Sequence, residues 1–211
     1  MVDRQIKSRG VRDEAVLSAM LKVPRERFVP ESLAEIAYVD RPLPIGAGQT
    51  ISQPYIVAVM TEALRLGPQD RVLEIGTGSG YSAAVLAVIA AEVYTIERLE
   101  SLAASAGRRL GELGYSNVHV RHGDGSLGWP EHAPYNAIVI TASGPDVPTA
   151  LLQQLAVGGR LVMPVGRRLN AQRLVRVERT GPESYEREIL ERVAFVPLIG
   201  AQGWPEAGDA A

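Results

Sequence analysis

The chain of 211 residues is expected to fold as an α/β protein around a doubly wound, mostly parallel seven-stranded sheet. Helices should cover both faces, with an antiparallel hairpin at one sheet edge and a helical segment at the N-terminus. Two observations predict this. From residue 71 onward, short β-rich runs alternate with stretches of helical period, the texture of βα units feeding a parallel sheet. Where the first such strand meets the next helix stand Gly76, Gly78 and Gly80, at the point where open α/β sheets bind their ligands.

Apolar or small side chains at Ala15, Val16, Ala19 and Met20 recur at helical spacing and Pro24 closes the run, so 12–21 is read as the first helix. Residues 25–50 have no regular period and contain Pro30, Pro42, Pro44, Gly46 and Gly48; a connection of that length is usually functional or disordered. Ile56, Val59, Met60, Ala63 and Leu64 then follow one helical stripe from Pro54, with Ser52 as N-cap and Gly67-Pro68 as stop. Strands are predicted at 71–75, 93–97, 118–122, 136–141 and 160–165, and helices between them at 79–91, 99–113 and 148–155. Two further strands, 173–179 and 189–195, would form the edge hairpin. The tail after Leu198 has loop composition and is expected to be flexible or to act as a flap. A single domain should span 1–211, divided into an N-terminal part (1–67), a core (68–166), C-terminal strands (167–198) and the tail (199–211).

Lysine and arginine number 22 against 24 acidic residues, which leaves no broad basic field for a phosphate backbone, so nucleic acid is not an expected partner. The absence of cysteine removes thiolate nucleophiles, disulfides and cysteine-ligated zinc, and fits a reducing cytoplasm, the expected location. No apolar run approaches the length of a membrane span, and the first ten residues lack the apolar core of a secretion signal, so no membrane partner is expected. His119 and His122 point to opposite faces of one strand and His132 lies in a loop, so no metal site is expected from them.

Gly76 and Gly78 would bring bare backbone amides against a ligand, and Gly80 would let helix and strand approach. Glycines alone would serve a tight turn equally well. Their context adds Glu97 at the end of the next strand, about 20 residues on, where a carboxylate can accept both ribose hydroxyls. The spacing is G-x-G-x-G, not the dinucleotide G-x-G-x-x-G, and Glu74 stands just ahead of it. That carboxylate would repel a pyrophosphate but not a ligand carrying a sulfonium and an ammonium.

The run from Glu74 to Gly80 is similar to motif I of class I methyltransferases, which have a Rossmann-like fold, and Gly123-Asp124-Gly125 resembles their adenine-side acidic turn. The segment Arg41-Pro-Leu-Pro-Ile-Gly-Ala-Gly-Gln-Thr-Ile-Ser-Gln-Pro-Tyr55 closely resembles the signature of protein-L-isoaspartate O-methyltransferases. The resemblance continues through 23–30, 122–125, 158–166 and 195–198, and covers nearly the whole chain. It implies methyl transfer from S-adenosylmethionine, leaving S-adenosylhomocysteine, to the free α-carboxyl of L-isoaspartyl residues in damaged proteins and peptides. The methyl ester then starts repair through a succinimide. With a pKa of roughly 3.3 to 3.7 that carboxyl is already ionised at neutral pH, so no general base is needed.

The resemblance implies that Ser52 is the active-site residue, orienting the carboxylate rather than attacking. It also implies a cofactor site of Thr50, Ile51, Glu74, Gly76, Thr77, Gly78, Gly80, Glu97, Gly123, Asp124 and Gly125. The 25–50 region and the tail are expected to cover the pocket, because both have loop composition and the first runs directly into the signature segment. Isoaspartyl proteins and peptides are the expected partners, and a monomer is the default. Ser126 stands where family members often carry a bulky or aromatic residue, and Ile199 where some place a polar one. Asp40 either holds a loop or aids substrate binding. Tyr81 and Trp129 are read as packing rather than adenine contacts, and Arg167, Arg168, Arg173 and Arg176 as a solvated face. Rival readings are another class I methyltransferase, which has no reason to carry Thr-Ile-Ser-Gln-Pro, a non-catalytic S-adenosylmethionine sensor, and a nicotinamide dehydrogenase, which the glycine spacing and Glu74 oppose.

Overall fold

The computed structural model describes residues 1–166 and 171–206. Asp13 opens helix α1 (Glu14–Lys22) by accepting from the Ala15 and Val16 amides at 2.8 and 3.2 Å, a side-chain cap for two otherwise orphaned donors. The irregular stretch that follows contains short 3-10 turns at Arg25–Phe28 and Glu31–Ile36 and then a small antiparallel hairpin, β1 (Leu43–Gly46) and β2 (Gln49–Ile51). Ala47 takes φ 50° at the hairpin's turn, beside Gly48 at φ 69°.

Helix α2 (Pro54–Leu64) has proline in its first turn, but its N-cap is Gln53 and not Ser52. Asp40 reaches in from outside and accepts the Tyr55 amide at 3.1 Å, so this helix start is satisfied without a local cap. The stop also differs from the expected one: Arg65 turns left-handed at φ 52°, two residues before Gly67.

The core then alternates as the sequence predicts: β3 (Arg71–Ile75), α3 (Tyr81–Ile89), β4 (Glu92–Glu97), α4 (Glu100–Glu112), β5 (Val118–His122), β6 (Tyr135–Ile140), α5 (Thr149–Gln154) and β7 (Leu155–Val165). β8 (Gln172–Arg179) and β9 (Tyr185–Val193) complete a seven-stranded sheet in the order β5-β4-β3-β6-β7-β8-β9. β3 to β7 run parallel, while β8 is antiparallel to both of its neighbours. This is a Rossmann-like α/β sheet with an antiparallel edge.

Alternation along the strands divides the core into two layers. Val72, Val93, Val139 and Val162 face α1, α2 and α3; Leu73, Ile75, Ile138 and Leu161 face Leu151 of α5. The second layer is completed by Tyr94, its ring stacked between His119 and His132 at 4.8 and 4.2 Å and met edge-on by Trp129. Both histidines and Trp129 therefore pack. His119 also pairs with Glu92 at 2.6 Å, and His122 meets the Arg98 carbonyl at 3.1 Å.

Helix α3 starts later than predicted because Gly80 sits at φ 90°, outside the helical region. β7 starts earlier than predicted because Leu155 pairs with Tyr135 of β6, and β9 because antiparallel pairing with β8 extends it back to Tyr185 opposite Arg179. Arg176 pairs with Glu188 at 2.6 Å on this hairpin; Arg167 and Arg168 lie outside the described residues. Among the described residues no helix is long and apolar enough to cross a membrane.

Candidate active site

The sheet order reverses beside β3, and the turn leaving β3 opens into a cleft above the strand ends. Its wall is formed by residues 48–52, 75–79, 96–99 and 196–199, together with Tyr81, Gly125 and Thr141. Gly76 lies at φ 95° and donates to the Ile96 carbonyl at 2.8 Å. A Cβ there would stand 2.3 Å from Thr141 Oγ1, whose hydroxyl donates to the Ile75 and Gly76 carbonyls. The turn therefore needs glycine for both its dihedral and its clearance.

Glu97 is buried and held by backbone alone: Oε2 accepts from the Gly78 amide at 2.9 Å and Oε1 from the Leu99 amide at 3.0 Å. Each oxygen keeps a second lone pair, so the carboxylate is oriented yet still able to accept two donors.

Glu74 lies beneath the turn and is not part of the cleft wall. It is fully buried, its Oε2 accepts the Thr95 hydroxyl at 2.6 Å, and Thr95 in turn receives the Thr77 hydroxyl at 2.6 Å. Burial pushes Glu74 up to about 7; the Thr95 and Ser82 hydroxyls oppose that rise and the Glu97 charge adds to it.

The other end of the cleft is the end of β2 and the link from it to α2, which place Thr50, Ile51 and Ser52 on the wall. Two side chains from distant positions clamp it. Arg25 is fully buried; its Nε donates to the Ala37 carbonyl at 2.7 Å and its Nη2 to the Ser52 carbonyl at 2.8 Å. The guanidinium also lies 4.7 Å from the ring centre of Tyr81, a cleft residue that packs edge-on against Phe28 at 5.6 Å. Asp40 takes the Gln53 side-chain amide at 2.8 Å as well as the Tyr55 amide, so it holds this loop. Sequence reasoning passed over Arg25, although it lies in one of the stretches that carry the family resemblance.

Beyond Leu198 the chain is not a free tail. Trp204 Nε1 donates to the Ser143 carbonyl at 3.0 Å, Ala201 donates through its amide to Asp124, and Arg98 pairs with Glu206 at 3.1 Å. Residues 199–206 thus form a strap across the Gly123-Asp124-Gly125 turn, and the end of the expected flexible tail, 207–211, lies outside the described residues.

Residues 1–203 match the family model for protein-L-isoaspartate(D-aspartate) O-methyltransferase. The chain belongs to this family. A protein-L-isoaspartate O-methyltransferase 2 of Pelobacter propionicus is 62% identical over 97% of this chain and 91% of its own length. The corresponding protein of Protochlamydia amoebophila is 58% identical over 97% of each chain. A solved protein-L-isoaspartate O-methyltransferase superposes with a TM-score of 0.85 at 31% identity, over 96% of this chain and 67% of that one. A Plasmodium falciparum structure described as a complex with S-adenosyl-L-homocysteine superposes at 0.81, with 26% identity over 94% of this chain and 96% of that one.

Of the positions that the family resemblance singles out, the fold brings Thr50, Ile51, Ser52, Gly76, Thr77, Gly78, Glu97 and Gly125 to one wall. Glu74, Gly80, Gly123 and Asp124 stand behind it. The close approach that Gly80 permits is to helix α4 and not to a strand, since a Cβ there would lie 3.2 Å from the Leu110 side chain. Gly123 donates to the Glu97 carbonyl at 3.0 Å and so ties the acidic turn to the end of β4.

Proposed function

We propose that this protein transfers the methyl group of S-adenosylmethionine to the free α-carboxyl of L-isoaspartyl residues in proteins and peptides, the step that opens repair through a methyl ester and succinimide. The observation that carries this reading is that Thr50, Ile51 and Ser52 share one cleft with the glycine turn and Glu97, in a chain of this family.

The wall fits the cofactor's chemistry. A ribose diol offers two O–H donors, and the two oxygens of Glu97 each retain one acceptor site. The cationic side chain on the wall, Arg98, is paired with Glu206, so a sulfonium and an ammonium meet little opposing charge. When bound, the cofactor supplies an electrophilic methyl.

This chain's residues then have to bring a carboxylate into line with that methyl. The carboxylate needs no base, because its pKa of roughly 3.3 to 3.7 leaves it ionised. Charges on nucleophile and leaving group partly cancel as the bond forms, so alignment matters most, and good alignment can supply about 7 to 11 kcal/mol. Ser52 donates its hydroxyl to the carboxylate, on a backbone that Arg25 fixes. The guanidinium stays one layer back, behind the wall, where it does not pin the reactants as an adjacent charge would.

The test is methyl transfer from labelled S-adenosylmethionine to two peptides identical except for an L-aspartyl or L-isoaspartyl linkage. Base-labile label on the isoaspartyl peptide alone is expected; label on neither, with cofactor still bound, would overturn the substrate assignment. Ser52→Ala should lower peptide kcat/KM by about tenfold to a hundredfold, the worth of one hydrogen bond to a charged group, and leave cofactor binding intact. A folded Ser52→Ala protein with near-normal turnover would remove Ser52 from the mechanism.

A further inference from the structure

A second groove lies outside the cleft, between helix α2 and strand β9, and encloses about 480 Å³. One bank carries Tyr55, Val59 and Ala63, the other Ile189, Leu190 and Glu191. Both banks lead into the cleft: Tyr55 stands three residues after Ser52 and Glu191 five residues before Val196, and Ser52 and Val196 are both on the cleft wall. Three residues of chain span at most about 10 to 11 Å. An extended peptide whose reacting carboxylate meets Ser52 therefore reaches the mouth of this groove within about three residues.

The groove is apolar along its length and acidic at one point. Ile189 is 64% exposed and, with Val59, offers apolar surface to whatever enters. Four carboxylates line the groove, and three of them are committed within the chain. Asp13 caps α1, Glu62 accepts the Arg12 and Asp13 amides at 2.6 and 2.8 Å, and Glu188 pairs with Arg176. The fourth, Glu191, is half-buried and has neither a hydrogen bond nor an ion pair among the described residues. Burial pushes its carboxyl up, and the cation that opposes this, Arg9, is already paired with Asp40 at 2.8 Å and stacked on Tyr55. Burial and then the Glu191 charge push the Tyr55 hydroxyl up as well, as expected of two groups on facing banks. An apolar channel with one unpaired carboxylate matches a side chain that has an aliphatic stem and a cationic head.

We infer that the groove between α2 and β9 receives the substrate chain about three residues from the isoaspartate and prefers lysine or arginine there, the stem against Val59 and Ile189 and the charge on Glu191. The inference rests on the reading that the isoaspartyl carboxylate meets Ser52, and it gives that reaction a preference for basic flanking sequence.

The experiment measures methyl transfer by the full chain to isoaspartyl peptides identical except for a lysine or a glutamate placed three residues before or three residues after the isoaspartate. The wild type should favour lysine over glutamate in kcat/KM by about fivefold to tenfold on one of the two sides, with the difference in KM. Glu191→Gln should reduce that ratio to about twofold or less, whereas Glu186→Gln, an equal loss of charge on the same strand but outside the groove, should keep it. A ratio near one in the wild type, a ratio that survives Glu191→Gln, or an equal fall in both variants would each overturn the inference, the last by assigning the preference to the overall field of the chain. In all three of these cases the isoaspartyl peptides are still methylated and the proposed function stands. If none of them is methylated, that function fails and takes the inference with it.

Discussion

The two ends of the cleft are built by different means. The glycine turn and Glu97 are held by backbone: parallel strands in register, amides aimed at one carboxylate, and glycines at φ 95°, 54° and 90°. The Ser52 segment is held by side chains from elsewhere, Arg25 from 27 residues away and Asp40 from 13 and 15. Strand register is shared by many residues and survives the loss of any one. A clamp made by single side chains does not, so the two ends should respond differently to substitution.

The largest effect is expected at Arg25. Arg25→Met leaves the buried Ala37 carbonyl and the part-buried Ser52 carbonyl without donors, a loss of about 1 to 3 kcal/mol in urea unfolding for the first and less for the second. Because one of these carbonyls belongs to Ser52, peptide kcat/KM should fall while the Kd for S-adenosylhomocysteine holds. Equal losses at both ends would erase the contrast between a clamped and a register-held site.

Glu74 gives the next effect, and it depends on pH. Its folded value of about 7 lies above its ordinary 4.5, so between those values the folded state keeps a proton that the unfolded chain has released. Stability contributed by the protonated group is full below 4.5, declines as pH rises, and levels off above 7. Glu74→Gln keeps an acceptor for Thr95 and removes the titration, so its stability relative to wild type should grow across this window by roughly 3 kcal/mol. Denaturant melts from pH 4.5 to 8 measure this, and parallel curves for the two proteins would show that Glu74 does not titrate there.

Gly76→Ala should act on the cofactor end alone. The left-handed dihedral costs roughly 1 to 2 kcal/mol with a side chain, and the new Cβ must displace the Thr141 hydroxyl from two carbonyls. Folding stability should fall by at least that amount, and cofactor Kd should rise because the displaced turn lies on the cleft wall, with peptide KM unchanged once the cofactor is saturating. A change in peptide KM instead would mean that the two ends are mechanically coupled through Thr141.

This division also decides what was legible beforehand. Alternating period marked the strands, and the sequence separation between Gly76 and Glu97 placed them side by side, because adjacent parallel strands end together. The same reasoning gave Ser52 a capping role, since a serine before an apolar stripe is a good local signal; the cap came from Asp40, whose position relative to α2 depends on the fold of residues 25–50. That stretch reads as loop because its strands are four and three residues long and punctuated by proline and glycine. Arg25 was hidden for a related reason: charge predicts exposure, and only the folded chain shows two carbonyls waiting for a guanidinium. The strap escaped because its bonds come mostly from backbone amides, which carry no mark in the sequence.

The smallest effect, at Asp40, tests the clamp most finely. Asp40 does three things: it accepts the Tyr55 amide at the start of α2, holds the Gln53 side chain, and pairs with Arg9 at 2.8 Å. Arg9 is half-exposed, and exposed pairs contribute about 0 to 1 kcal/mol, so the cap should outweigh the ion pair. Asp40→Ala should therefore lower stability by about 1 kcal/mol, the usual worth of an N-cap, and raise peptide KM by loosening Gln53 next to Ser52. Asp40→Asn keeps an oxygen for the Tyr55 amide and gives up the charge, so it should restore most of the stability and most of the peptide KM. An asparagine protein as weak as the alanine one would reverse that order and make Arg9, through its charge and its stacking 3.3 Å from the Tyr55 ring centre, the true anchor of the segment.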